Sequence, residues 1–191
     1  MTSETTDWKE SRPLGEVSCS SHDCEHDLHC FRRRRPRDQS YRNGKCVACG
    51  ADLIDWHRVD KKNLKDVDYT IQAIQYEMIR HFYWHKTIDE HSMQLARKKG
   101  IQQLRTDAEK RIVKHVSPAS RDIFRDGTQT PFSGNIIYYA QHGTATCCRK
   151  CAEEWHGIDR NRPLTEDEIK YMVDLIMLYI KKRAPELTEQ A

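Results

Sequence analysis

The apolar positions of this chain fall into three helical stripes. Ile71, Ile74, Met78 and Phe82 recur every three or four residues, the period of one helix face, and Asp68 can cap a helix running to about Lys86. Tyr69, Ala73, Tyr76 and Tyr83 line a neighbouring stripe, so this helix is expected to be buried on two sides. Thr87 and Glu90 read as a capping box for a second helix that Gly100 can end. Ile101, Leu104, Ala108, Ile112 and Val116 then carry a stripe up to Ser117-Pro118, which stops it because the residue before proline is pushed out of the helical region. A second capping box, Thr165 with Glu168, opens the last helix, expected from Glu166 to about Lys182. Acidic residues lie at its start and Lys181, Lys182 and Arg183 at its end, matching the helix dipole. Its apolar residues cover more than one face: Ile169, Met172, Val173, Ile176 and Ile180, but also Tyr171, Leu175, Leu178 and Tyr179. Such a helix is buried. It is expected to pack on the other helices on one side and to offer a homodimer surface on the other.

Between the stripes the pattern shortens. Residues 135–140, Asn-Ile-Ile-Tyr-Tyr-Ala, read as a strand bounded by a turn, and residues 53–56 as a shorter one. Residues 118–135 are a turn-rich connector, and residues 1–17 are polar enough for a disordered start.

The cysteines change the picture. No run of eighteen apolar residues predicts a membrane helix, and the start carries no apolar leader. The expected compartment is therefore the cytoplasm, where eight cysteines point to metal rather than to disulfides. Cys46 and Cys49 form one pair with Gly50 behind it; Cys148 and Cys151 form another at the start of a helix. Four such thiolates make a closed tetrahedral zinc site. A knuckle, a short hairpin and a helix carrying the last two ligands predict an α+β fold. Its core is a small treble-clef-like zinc-binding unit with a large helical insertion at about 64–117 and a long C-terminal helix. Residues 1–40 form a Cys/His- and Arg-rich arm, and residues 41–191 a single zinc-built domain. Cys147 is a second thiol beside Cys148, and either can be the ligand. Cys19, Cys24, His29 and Cys30 lie in a dense cluster with His22 and His26, a candidate for a second zinc. The cluster can equally be a loose arm, or share a site with His57 after the first knuckle. The cofactor expected is zinc, one ion or two.

Only 37% of residues are hydrophobic against 32% charged, so a metal staple would support a thin core. Net charge is +3, so attraction to nucleic acid must be local. Arg32, Arg33, Arg34, Arg35 and Arg37 supply such a patch, as phosphate contacts or as a solvated linker. Arg149, at a helix start, is a further phosphate candidate. His142 and His156 flank the second cysteine pair and are the candidate catalytic groups. His81 and His85 share a helix face without the adjacent glutamate of a metalloprotease motif.

The run from Gln141 through His142, Thr144, Thr146, Cys147, Cys148, Arg149 and Cys151 to Trp155, His156, Gly157 and Ile158 resembles a family of uncharacterised bacterial proteins. Leu164, Thr165, Glu168 and Ile169 extend the likeness. It implies a bacterial, cytosolic, metal-binding protein and assigns no activity. Gly143 departs from the alanine expected there, a change that would loosen the loop. Three function classes follow. The first is a nucleic-acid-binding module with structural zinc and no membrane partner. The second is a zinc-scaffolded nuclease or other hydrolase with His142 as general base. The third is a metal- or redox-responsive interaction protein.

Overall fold

The computed structural model describes residues 17–31 and 44–187. The polar start at 1–16 and the arginines of 32–37 lie outside the described residues. The described residues hold seven α-helices: α1 (Trp56–Asp60), α2 (Val67–Ile74), α3 (Met78–His85), α4 (Glu90–His115), α5 (Ile136–Gly143), α6 (Arg149–His156) and α7 (Glu166–Arg183). Extended pairing among them is limited to two isolated bridges, Asp23 with Leu28 and His29 with Glu77. No helix among the described residues is long and apolar enough to cross a membrane.

The first stripe folds as two helices rather than one. The break has a donor-and-acceptor cause. Tyr76 gives its carbonyl to the amide of His29 at 2.7 Å, and the amide of Met78 donates to the carbonyl of His29 at 2.9 Å. Backbone groups taken by the arm cannot continue a helical ladder. The next helix is capped by Asp89, not Thr87: the Asp89 carboxylate accepts from the amide of Ser92 at 2.8 Å and from its hydroxyl at 2.7 Å. Gly100, at φ 71°, interrupts α4, which then runs on to His115.

The expected strand at 135–140 is a helix. Asn135 caps α5, its side chain accepting from the amide of Ile137 at 2.9 Å. A short apolar run has no periodicity to separate strand from buried helix, and here the cap decides. His142 therefore sits in the last turn of a helix, not at a hairpin end. Residues 53–56 likewise form no strand: Asp55 caps α1 by accepting from the amide of Arg58.

The capping box of α7 forms as expected, with Thr165 and Glu168 reciprocally bonded. Both faces of α7 are buried, with Tyr171, Met172, Val173, Leu175, Ile176, Tyr179 and Ile180 in the core. α7 packs on α4 and α5, and α5 packs on α3. Gly143 tightens this junction instead of loosening a loop. A Cβ there would lie 2.7 Å from the Tyr179 ring, and its carbonyl accepts from the Trp84 indole at 3.0 Å.

A second buried cluster stands beside this core. Phe31, Cys46, Ile54, Val59, Ala73, Ile74, Ala145, Cys147, Cys148, Cys151 and Trp155 compose it, with Trp56 packed against them. Most of the cysteines therefore sit in one apolar neighbourhood, built from the arm, α1, α2 and α6.

Candidate metal centres

Six of the eight cysteines, with His29, gather into two groups. In the outer one, the metal-binding atoms of Cys24, His29, Cys46 and Cys49 all lie within 4.8 Å of one another. The arm supplies the first two. Asp23 and Leu28 exchange backbone hydrogen bonds at 2.7 and 3.0 Å, which folds residues 24–27 into a tight turn. The Asp27 carboxylate contacts His29 Nε2 at 3.0 Å and so holds the ring with Nδ1 turned to Cys49 Sγ, 3.4 Å away. A carboxylate behind a histidine in this way fixes its tautomer and orientation for metal. The knuckle supplies the other two. Gly50, at φ +77°, turns the chain behind Cys49. The amides of Gly50 and Cys46 donate to the carbonyls of Cys46 and Ala51, both at 2.9 Å, and the amide of Val47 ties the knuckle to Cys30 at 2.8 Å.

The spacing suits a tetrahedral ion. Zinc–ligand lengths of about 2.3 Å to sulfur and about 2.0 Å to nitrogen give tetrahedral edges of about 3.8 Å between sulfurs and about 3.5 Å between sulfur and nitrogen. Cys24 and Cys46 stand 3.8 Å apart, and Cys49 and His29 3.4 Å apart. Burial works to raise the Cys46 thiol, but hydrogen bonds from the backbones of Cys30, Cys49 and Ala48 overcome it and bring its pKa down to about 6. Burial and the neighbouring thiols push Cys24 up to about 12.

The inner group is Cys147, Cys148 and Cys151, all buried, with sulfurs within 4.8 Å of one another. Cys148 caps α6, and its sulfur accepts from the amide of Cys151 at 3.4 Å. Cys19 of the arm brings its sulfur to 4.0 Å from Cys151. Between these sulfurs and the core lies the guanidinium of Arg80, fully buried. Its Nε donates to Glu77 Oε2 at 2.8 Å and Nη1 to the carbonyl of His142 at 2.7 Å. Its Nη2 reaches Cys151 Sγ at 3.1 Å and Cys19 Sγ at 4.0 Å. Glu77, equally buried, also accepts from the Trp155 indole at 2.6 Å. Hydrogen bonding with Cys147, together with burial, pushes the Cys148 thiol well above its ordinary pKa, the bond with Cys151 working the other way.

The sequence expectation paired Cys46 and Cys49 with Cys148 and Cys151. The structure brings each pair to different partners: the first to Cys24 and His29, the second to Cys147. Cys30, expected beside Cys24, is in neither group; its thiol donates to the carbonyl of Cys19 at 3.2 Å. His57 is exposed on α1 and in neither group. His81 and His85 stack at 3.9 Å, and His85 Nδ1 contacts the carbonyl of His81 at 2.8 Å.

The candidate catalytic and phosphate residues beside the inner group are turned inward. His142 is buried between Tyr83 and Phe132, and its Nε2 faces the carbonyls of Thr130 and Pro131 at 3.3 and 3.1 Å. Burial lowers its pKa to about 4. His156 is fully buried, with Nε2 on the carbonyl of Thr144 at 2.8 Å and Nδ1 at the Tyr171 hydroxyl at 3.1 Å; burial lowers its pKa to about 4 as well. Arg149 is fully buried and donates to the carbonyls of Asp159 and Arg162, bracing the loop before α7. Its Nε and Nη1 are buried with no hydrogen-bond partner among the described residues.

Sequence reasoning missed Asp27, Glu77 and Arg80. A signal existed for the last two: an acid and a base three residues apart, placed among the most apolar positions of a helical block. Such a pair is either solvated or ion-paired in the interior.

A family model for a domain of unknown function, DUF4186, matches residues 68–181, and the chain belongs to that family. The match contains the inner group with Glu77 and Arg80, and none of the four outer residues. No solved structure matches the chain.

Proposed function

We propose that this chain is a zinc protein whose outer group, Cys24, His29, Cys46 and Cys49, holds one structural zinc ion that tethers a basic segment offered to nucleic-acid phosphates. The observation behind this reading is the set of four donor atoms within 4.8 Å, contributed by two separate segments. Three thiols and one imidazole are a donor set that suits zinc, and a site filled by four protein ligands is structural rather than catalytic. The ion would supply closure: it joins the arm to the knuckle. The segment between His29 and Cys46, which carries Arg32, Arg33, Arg34, Arg35 and Arg37, is then tied to the ion at both of its ends. A basic segment held at both ends loses less freedom on contacting phosphates than a loose tail does. The reading requires a compartment that keeps thiols reduced, hence the cytoplasm.

The test is zinc content together with salt-dependent binding to a duplex of arbitrary sequence. Replacing the five arginines with glutamine should weaken binding for all sequences and flatten the salt slope by about one unit per lost contact. Cys49→Ser should lose the outer zinc and weaken binding too, because the two ends of the segment are no longer tied together. Nucleic-acid binding unchanged by both variants would overturn the reading. The hydrolytic alternative draws no support from His142, whose Nε2 faces two carbonyls, or from His156, whose ring nitrogens face a carbonyl and a tyrosine inside the protein.

A further inference from the structure

We propose that Cys19, Cys147, Cys148 and Cys151 form a second metal centre, sulfur-only, for a single soft or borderline divalent cation such as zinc. Arg80 donates hydrogen bonds to its sulfurs. The inference goes beyond the outer zinc and stands without it.

Geometry gives the ligands. Three sulfurs already lie within 4.8 Å of one another on the loop before α6 and its first turn. The half-buried Cys19, 4.0 Å from Cys151, stands on the arm side, where a fourth ligand would close the site. A donor set of thiolates selects zinc and softer cations over magnesium or calcium.

Arg80 gives the charge. Its guanidinium is fully buried, and Glu77 meets its Nε. Nη2, with two hydrogens to place, has sulfurs as its acceptors, Cys151 at 3.1 Å and Cys19 at 4.0 Å. A neutral thiol is a weak acceptor. A metal-bound thiolate is anionic, and hydrogen bonds to it are charge-assisted. A buried cation aimed at the sulfurs of Cys151, Cys19 and Cys147 is therefore explained when those sulfurs are thiolates, and a metal cation among them is what makes them so. Each thiol that becomes a ligand gives up its proton to solvent as the ion enters.

The experiment uses the full chain, purified under reducing, anaerobic conditions and reconstituted with zinc(II) or cobalt(II). About two metals per chain are expected. Cys49→Ser should fall to about one and keep a cobalt(II) spectrum of sulfur-only ligation. Cys148→Ser should also fall to about one and keep the spectrum of a mixed sulfur–nitrogen site. This crossed pattern separates the two centres: loss of metal from one variant's site says nothing against the other's. Arg80→Lys should retain the inner metal about 10–100-fold less tightly against a chelator. Should that variant fail to fold, Cys19→Ser on the half-buried arm keeps the test open. It should weaken the inner metal at least about 10-fold with far-UV circular dichroism unchanged. A wild-type chain that stays at one metal, kept by Cys148→Ser and Cys151→Ser, would overturn the proposal. So would iron with acid-labile sulfide at these cysteines.

Discussion

The outer and inner groups use the same side chain in opposite surroundings. At the outer group, Cys49 is exposed, the histidine is oriented by an exposed aspartate, and backbone amides lower the Cys46 thiol. At the inner group all three thiols are buried, the Cys148 pKa is raised, and the positive charge that reaches them is Arg80, itself tied to a buried carboxylate. The difference teaches what each group contributes. The outer one, as the proposed zinc site, would be a local staple between short segments that have little core of their own. The inner one is part of the core of the family domain, so its polar groups are bound up with global stability.

Breaking the inner network should therefore cost most. Glu77→Ala leaves the Arg80 charge buried without its carboxylate, and a lost partner of that kind is worth about 3–5 kcal/mol. Chemical denaturation should show the loss; a change under about 1 kcal/mol would mean the guanidinium is already balanced by the sulfurs.

Acid should act next. His142 and His156 are neutral when buried, with pKa values near 4 against about 6.5 unfolded. The unfolded chain takes up protons first, so this stability is intact above pH 6.5 and is lost as pH falls from there toward 4. The loss is at most about 3 kcal/mol per ring. His142→Asn should flatten the pH profile in that window, whereas a profile parallel to wild type would contradict the assignment.

Gly143→Ala pushes a methyl group against the Tyr179 ring and should cost about 1–3 kcal/mol by overpacking. Its metal content should not change. An unchanged melting temperature would mean α5 and α7 can separate at that point.

Asp27→Asn should have the smallest effect on stability. It removes the carboxylate behind His29, so zinc retention at the outer site should weaken about 10–100-fold while the helical body melts as before. A global loss of stability would erase the contrast between staple and core.

The long helices α4 and α7 were legible in the sequence because their signals are local. The capping box at Thr165 and Glu168, the stop at Ser117-Pro118 and the stripes of α4 and α7 each need only a few neighbouring residues. The two cysteine pairs were legible for the same reason. Their partners were not. A Cys-x-x-Cys spacing fixes that two sulfurs share a turn, but which pair meets which ligand is set by how the arm docks. That docking depends on His29 reaching the backbone at Tyr76 and Met78, a contact across many residues of chain. Residues 135–140 were misread because the five apolar positions 136–140 carry no period, and the asparagine in front of them was taken as part of a turn rather than as a cap.

The bridge between His29 and Glu77 sets the backbone of an outer-group residue beside that of the residue whose carboxylate neutralises Arg80 at the inner one. The amides on either side, His29 donating to Tyr76 and Met78 donating to His29, are protected by this contact alone. Deuterium uptake at these two amides is thus a reporter of the seam itself. It will register the arm lifting away at whichever end it starts, well before any helix begins to melt.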